Sequence, residues 1–515
     1  VNILSKSILF EFGISKKLDL LSKDLARQVR RISTQRGYND AKGMSPLVCL
    51  FAKQEEIMRA VDKAKRVEAL IKDKNYKGVC MMFAPLGEAN KNPDIWSNAD
   101  TLYALGLSCS KLSVTLLVKA GETKKLQSKA KYRKYCVAFL TRGYEIEQDN
   151  VRFAAALAYR YYSNVHELMR PGERRDSDVE QEIALANEWL NKALEMNPTS
   201  VRNHYRKGKL IIEKQAPYLL FGKKSYGPAE AKTIREIRQV GEEHLVTAIS
   251  LYEALTDEAK KKSNAREYAK ALFVLGRYYL GDTNLPIHGF YLSKVAGKQP
   301  DVTIEKIDKL NLQSAHVNLK KSFTAESDMS LNGALDIKKL AAQEKEWTNS
   351  PIKKLYHIGC MYCDTVFVLT AQGSAQKAEQ YAKKAIKILE AAKRVADSLK
   401  DRKRNTWYIS ERIAWVYMHI GKYEVAVKLL KNARAGYVVN TYAIALMLCG
   451  SENKARAEQV LKQAAGDKHN LAAGLSKVLY AYASAKTGEA IWLDTKELSE
   501  KNKKLAKILD IEFVN

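Results

Sequence analysis

The feature that most narrows the fold is a set of small residues spaced along helix-forming sequence and punctuated by proline. Lys192 to Pro198 reads KALEMNP and runs into TSVRNHYRKGKLIIEK. Ala186, Leu190 and Ala193 share one helical stripe, and Gly208 and Ile211 lie on the stripe of the next helix. Pro198 separates the two, because proline lacks an N–H donor and clashes with the preceding turn. The same phasing recurs at Leu102, Leu105 and Gly106, at Ala154, Leu157, Ala158 and Tyr161, and at Leu272, Leu275, Gly276 and Tyr279. It returns at Leu355, Ile358, Gly359 and Tyr362, followed by Ala378, Ala382 and Ala385, and once more at Ile413, Ala414, Tyr417, Gly421, Tyr423, Ala426, Leu430 and Ala433. A helix pair repeating at roughly 34 residues cannot bury its apolar face alone, so neighbouring pairs must stack. Only 10 prolines and 26 glycines fall in 515 residues, which favours helix over strand almost everywhere. The expected class is all-α, an α-solenoid of stacked antiparallel helix pairs.

The joint between Ala186 and Ile211 resembles the junction of two tetratricopeptide (TPR) repeats. In that family small residues stand where helix backbones cross, and a proline ends the second helix. Gly421 and Tyr423 resemble the family's turn between helices A and B. The resemblance extends over about Val61 to Ala485, through roughly six to eight helix pairs. The family's bulky aromatic at the fourth position of helix A is mostly Ala, Leu or Ser here, and insertions split several units. The organisation expected is an N-terminal helical segment (1–60), an irregular TPR-like solenoid (61–400), C-terminal TPR-like units (405–486) and a capping helix (487–515). Arg170–Asp178, Ala216–Pro228 and Gly281–Pro300 read as loops, and Arg402–Thr406 as a hinge.

TPR proteins bind partners on a concave surface formed by helix A. Carried over position by position, the resemblance implies a groove lined by Arg152, Tyr159 and Tyr162, then Arg202, Tyr205 and Lys209, then Lys270, Phe273 and Arg277, then Lys353 and Tyr356. The implied face is basic and aromatic. Cations and rings together suit either an acidic peptide with aliphatic anchors or a nucleic-acid strand. Outside that groove, Lys124, Lys125, Lys129, Lys131, Arg133 and Lys134 form a cluster that could meet a polyanion. Further basic runs lie at Lys23–Arg36, Lys260–Arg266, Lys400–Arg404 and Lys501–Lys507.

Charge points the same way. The chain carries 86 Lys and Arg against 58 Asp and Glu, a formal net charge of +28, which calls for an anionic partner. The expectation is a non-enzymatic scaffold or adaptor that binds an acidic protein segment within a larger assembly; the alternative is an RNA- or DNA-binding subunit of a nucleic-acid complex. Seven cysteines, Cys49, Cys80, Cys109, Cys136, Cys360, Cys363 and Cys449, sit in apolar helical context, as expected of buried thiols in a reducing intracellular compartment. No secretory signal is legible, no apolar run reaches the roughly 18 residues a membrane span needs, and a removed targeting peptide stays open.

Catalytic motifs are missing where they would be expected. Cys360 and Cys363 (CMYC) follow His357 but lack a second ligand pair for zinc, so no metal or cofactor is expected. His288-Gly289 resembles the His-Gly of caspase-like peptidases, without the strands that would present a nucleophile beside it. Gly222–Ser225 (GKKS) lacks the earlier glycine and the strand of a phosphate-binding loop. No catalytic residue is expected.

Overall fold

The computed structural model describes residues 62–63, 65–116, 123–169, 176–220, 228–281, 284–300, 311–327, 329–331, 333–344, 350–399, 406–432, 436–466, 473–485, 489–494 and 498–514. These are helical apart from short connections and one pair of strands. They fall into two compact units. Unit 1 runs up to Leu210 and takes in Leu255–Ser263; unit 2 holds Ile211–Ala254 and the chain from Asn264 onward.

In unit 1, α1 (Tyr76–Met82) packs on α2 (Ala99–Thr115), which pairs with α3 (Thr123–Ile146). The next pair is α4 (Val151–Leu168) and α5 (Asp176–Met196), and α6 (Val201–Leu210) packs on both of its helices. Asn98 and Asn150 start α2 and α4 by accepting from the backbone N–H of Thr101 and Arg152. The crossings fall at the small residues: a methyl added at Gly106 would overlap Leu140, and one at Gly143 would overlap the Phe153 ring. Ala154, Ala158, Ala186 and Ala193 are fully buried. Arg160 is also fully buried. Its guanidinium donates to Ser113 Oγ at 2.7 Å and, through Nε, to Asn164 Oδ1 at 3.0 Å, while Asn164 Nδ2 donates to Glu182 at 2.9 Å. This chain of bonds joins α2, α4 and α5 and satisfies a charge that would otherwise be costly to bury.

Unit 2 opens with a π-helical turn, Ile211–Gln215, leading into α7 (Ala216–Leu220). Pro217 explains the wider turn, since its ring excludes the carbonyl four residues back and its nitrogen cannot donate. Ile211 and Ile212 pack against Gly241 of α8 (Pro228–Glu253). Next comes α9 (Glu258–Leu280), whose Tyr268 stacks on Tyr252 of α8 at 4.1 Å between ring centroids. After α10 (Asn284–Val295), α11 (Leu312–Ser327) returns to α9, with Leu319 filling the space at Gly276. A short α12 (Ile337–Gln343) follows. Consecutive pairs follow: α13 (Pro351–Ala371) with α14 (Ala375–Ser398), α15 (Trp407–His419) with α16 (Tyr423–Leu430), and α17 (Gly436–Cys449) with α18 (Lys454–Gly466). Gly373 and Gly421 make the first two turns with φ of +75°, a left-handed conformation that favours glycine. At Gly359 an added methyl would overlap Leu389 across the α13–α14 crossing. Then α19 (Ala473–Ser484) leads to β1 (Ile491–Asp494), α20 (Glu500–Ile508) and β2 (Ile511–Val514), the two strands pairing in parallel with Ile491 opposite Ile511.

Each unit is thus built of packed consecutive helix pairs, an all-α solenoid architecture. Four segments differ from expectation. Of the loop expected at Arg170–Asp178, Asp176–Asp178 open α5 and 170–175 lie outside the described residues. Ala216–Leu220 continues a helix instead of opening a loop. Most of Gly281–Pro300 is α10, because Ile287, Phe290, Tyr291 and Leu292 have an apolar surface to cover and are buried on it. The described residues of 487–515 form a strand–helix–strand unit, with Glu500–Ile508 its helix. Lys23–Arg36, Gly222–Ser225 and Lys400–Arg404 lie outside the described residues, as do the 1–60 segment and all of the expected hinge but Thr406; on either side of that hinge α14 and α15 pack together. Among the described residues, no helix is long and apolar enough to cross a membrane.

Candidate partner-binding faces

In unit 1 the first helices of successive pairs, α4 and α6, lie side by side. From Met196 to Ile212 the chain has no acidic residue, while α6 carries Arg202, His204, Arg206, Lys207 and Lys209. Arg202 is exposed. Arg206 reaches back to α4, its guanidinium 4.6 Å from the Tyr159 ring centroid and donating to the Ala155 carbonyl at 3.4 Å. Lys209 stands 6.0 Å from the centroid of the buried Tyr205 ring. Tyr159, Arg202, Arg206 and Lys209 therefore form one basic and aromatic surface. Arg206 was not among the expected groove residues, although its place four after Arg202 on the same helix face could have marked it.

Other expected groove residues of unit 1 are committed to the fold. Arg152 pairs with Asp100 at 2.7 Å and Glu147 at 3.3 Å, and its guanidinium lies within about 5 Å of the Tyr103 and Phe153 rings. Tyr162 is buried, its hydroxyl 2.9 Å from His166 Nε2. Lys207 is turned inward and donates to Asn187 Oδ1 at 2.7 Å. Burial pulls its pKa down to about 8.

The basic cluster on α3 divides as well. Lys129 and Arg133 turn toward α4 and pair with Glu167, the lysine at 3.1 Å. Lys124, Lys125, Lys131 and Lys134 are exposed, with Lys131 5.7 Å from the Tyr135 ring centroid. Their side of the helix faces solvent.

In unit 2 the expected residues do come together, but in a charge-balanced network. The Phe273 ring is buried, with Arg277 and Lys353 within 5.7 Å and 5.6 Å of its centroid and His357 edge-on at 5.4 Å. Arg277 pairs with Glu213 at 3.1 Å, Lys270 with Glu267 at 3.9 Å, and Arg412 with Asp364 at 3.4 Å. Tyr356 packs edge-on against Tyr408. Burial, and then the charges of Arg277, Lys353 and Arg412, hold the His357 pKa well below its ordinary value, so the ring is neutral. Cys360 and Cys363 are buried in the same layer; burial raises both thiols, Cys360 to about 11.

Beyond this network the first-helix face of unit 2 is covered by the chain itself. From α10, Phe290 meets Phe367 of α13 edge-on at 5.4 Å. Tyr291 lies 5.4 Å from Trp415 and stacks on His419 of α15, its hydroxyl 2.7 Å from His419 Nδ1. His288 meets Trp415 edge-on, and the Val295 carbonyl accepts from Tyr482 of α19 at 3.2 Å. In the repeat phase set by Gly359 and Ala414, Trp415 is the counterpart of Cys360. The positions a TPR groove would offer to a partner are here occupied by an internal helix. His288, considered above only as a catalytic element, is an aromatic contact.

No family model and no curated protein matches the chain. Among solved structures, a circular tandem repeat protein with novel repeat topology and enhanced subunit contact surfaces is similar over 97% of this chain and 96% of that one, at 13% identity and a TM-score of 0.17. A score so low carries no argument, and the helical-repeat class rests on the packed pairs described above.

Proposed function

We propose that the chain is a non-catalytic, tetratricopeptide-type scaffold that holds an acidic segment of a partner protein on the first-helix face of unit 1. The observation behind this reading is α6, a helix rich in cations and without an acidic residue, set beside Tyr159. Guanidinium groups recognise carboxylates by paired, charge-assisted hydrogen bonds, and the neighbouring Tyr159 ring gives aliphatic side chains an apolar surface. Such a face selects an acidic peptide with apolar anchors.

The test uses the whole chain and a fluorescein-labelled synthetic peptide of alternating glutamate and leucine. Saturable binding that weakens on the order of a hundredfold in Arg202→Glu/Arg206→Glu/Lys209→Glu supports the reading; equal binding by wild type and the triple variant removes it. The exposed lysines of α3 beside Tyr135 favour a second reading, a nucleic-acid contact. A labelled single-stranded RNA separates the two: affinity that falls steeply with salt and disappears in Lys124→Glu/Lys131→Glu/Lys134→Glu would favour RNA.

A further inference from the structure

β1 and β2 form a parallel pair joined through α20, with Ile491, Trp492, Leu493 and Asp494 opposite Ile511, Glu512, Phe513 and Val514. Parallel strands ordinarily lie inside larger sheets, and a two-stranded sheet is marginal by itself. This one is held by its face. Ile511 is buried, and Ile491, Leu493 and Phe513 pack on the core of unit 2. Among the described residues no third strand pairs with either of them.

In a strand, alternate residues direct N–H and C=O to opposite sides, so half of the β1 backbone groups point away from β2. Ile491, Trp492 and Leu493 make no backbone hydrogen bond outside the β1–β2 ladder among the described residues. Along β1 lies a groove of about 440 Å³, walled by Tyr480, Ala481 and Ser484 of α19 and by Ile491, Trp492 and Leu493. Among the described residues none of β2 lines it, which places it on the side of β1 away from β2. Trp492 is 56% exposed and forms its lip. Its ring thus stands in solvent beside the strand edge, where an added strand would cover it.

We propose that the outer edge of β1 is a docking site for an extended peptide segment of a partner protein, which adds as a third strand. The edge itself specifies this ligand. Only an extended backbone repeats donors and acceptors in step with β1 at a strand spacing of about 4.8 Å, whereas a helix has already satisfied its own. Alternate apolar side chains of the incoming strand would rest on Tyr480, Ala481 and Trp492. A second copy of this chain is a poorer occupant, because α19 stands beside the edge and leaves room for a lone strand more readily than for another sheet with its own flanking helix. The inference is independent of the basic face of unit 1.

The experiment uses the whole chain and two synthetic peptides. One carries residues 510–515, the strand that β1 already pairs with; the other has the same sequence with Phe513→Pro, which removes an N–H and breaks strand geometry. Support would be saturable anisotropy change with the first peptide, binding at least about tenfold weaker for the second, a shift in tryptophan emission lost in Trp492→Phe, and new hydrogen-exchange protection at 491–493 with that of 511–513 unchanged. Equal affinity for the two peptides, no binding up to about 1 mM, or loss of protection at 511–513, which signals strand exchange, would each overturn it. So would concentration-dependent self-association abolished by Trp492→Lys without peptide binding, since the occupant would then be a second copy.

Discussion

Unit 1 and unit 2 are built from the same device and treat its first-helix layer in opposite ways. In unit 1 that layer ends in α6, where cations accumulate without acidic residues on the same helix and Arg202 stands in solvent. In unit 2 Lys270 pairs with Glu267, Arg277 with Glu213 and Arg412 with Asp364, much as Arg152 pairs in unit 1, but the remaining face carries α10. A helical repeat therefore does not make a binding surface by itself. In unit 2 an inserted helix closes the part of the layer that the network leaves.

The comparison is most sharply tested by removing what closes unit 2. Tyr291→Ala is expected to cost about 4 kcal/mol, because a fully buried ring and its bond to His419 are lost. Tyr159→Ala in unit 1 should cost less than about 1 kcal/mol. Denaturant unfolding of both variants checks this, and equal costs would mean that α10 is only loosely laid on its neighbours.

Next in size is overpacking at a crossing in unit 1. Ala193→Trp places an indole where a fully buried methyl sits, and is expected to destabilise by about 3 kcal/mol. Unchanged melting would show that the repeat phase assigned around Pro198 is wrong.

Acid should act on unit 2 first. His357 and His419 are held neutral by burial, with pKa values well below the ordinary one. Below about pH 6.5 the unfolded chain takes up these protons and the folded chain does not, so stability falls as pH falls. Between pH 7 and pH 5 the hydrogen-exchange protection factors, taken relative to the intrinsic rate at each pH, should fall in α13 and α15 before α4 and α5.

Alkali probes unit 1. With the Lys207 pKa lowered to about 8, the folded state loses this proton before the unfolded state does, so the penalty for burying the charge is full below pH 8 and fades up to the ordinary lysine range. Lys207→Met should melt higher than wild type at pH 7, with the gap narrowing as pH rises toward about 10.5. The smallest effect belongs to Arg202→Ala, expected within about 0.5 kcal/mol of wild type because the side chain is exposed; any larger loss would make Arg202 part of the fold and weaken its assignment to a binding face.

Much of the architecture was legible because close backbone approach needs small residues, and these recur at helical spacing. Gly106, Gly143, Gly276 and Gly359 all lie where an added methyl would strike the facing helix. The candidate face was legible in part. Arg202 and Lys209 stand on the face inferred for them, yet Arg152, Lys270 and Arg277 pair within the fold, and Phe273, Tyr162 and Tyr205 are buried. Position within a repeat tells which way a side chain leaves its helix. It does not tell whether a carboxylate waits there, as Glu213 does for Arg277 from 64 residues away.

By itself the amino-acid sequence determined the helices, their pairing and the excess of positive charge, because propensity, periodicity and spacing are local properties of the chain. Tertiary structure alone decided that α10 lies across α13, α15 and α19, that Arg277 and Arg412 meet carboxylates, and that Ile491–Asp494 and Ile511–Val514 pair as parallel strands. Each of these depends on contacts between residues far apart in the chain, where local pattern has no purchase and only the packed arrangement selects which apolar or charged groups meet.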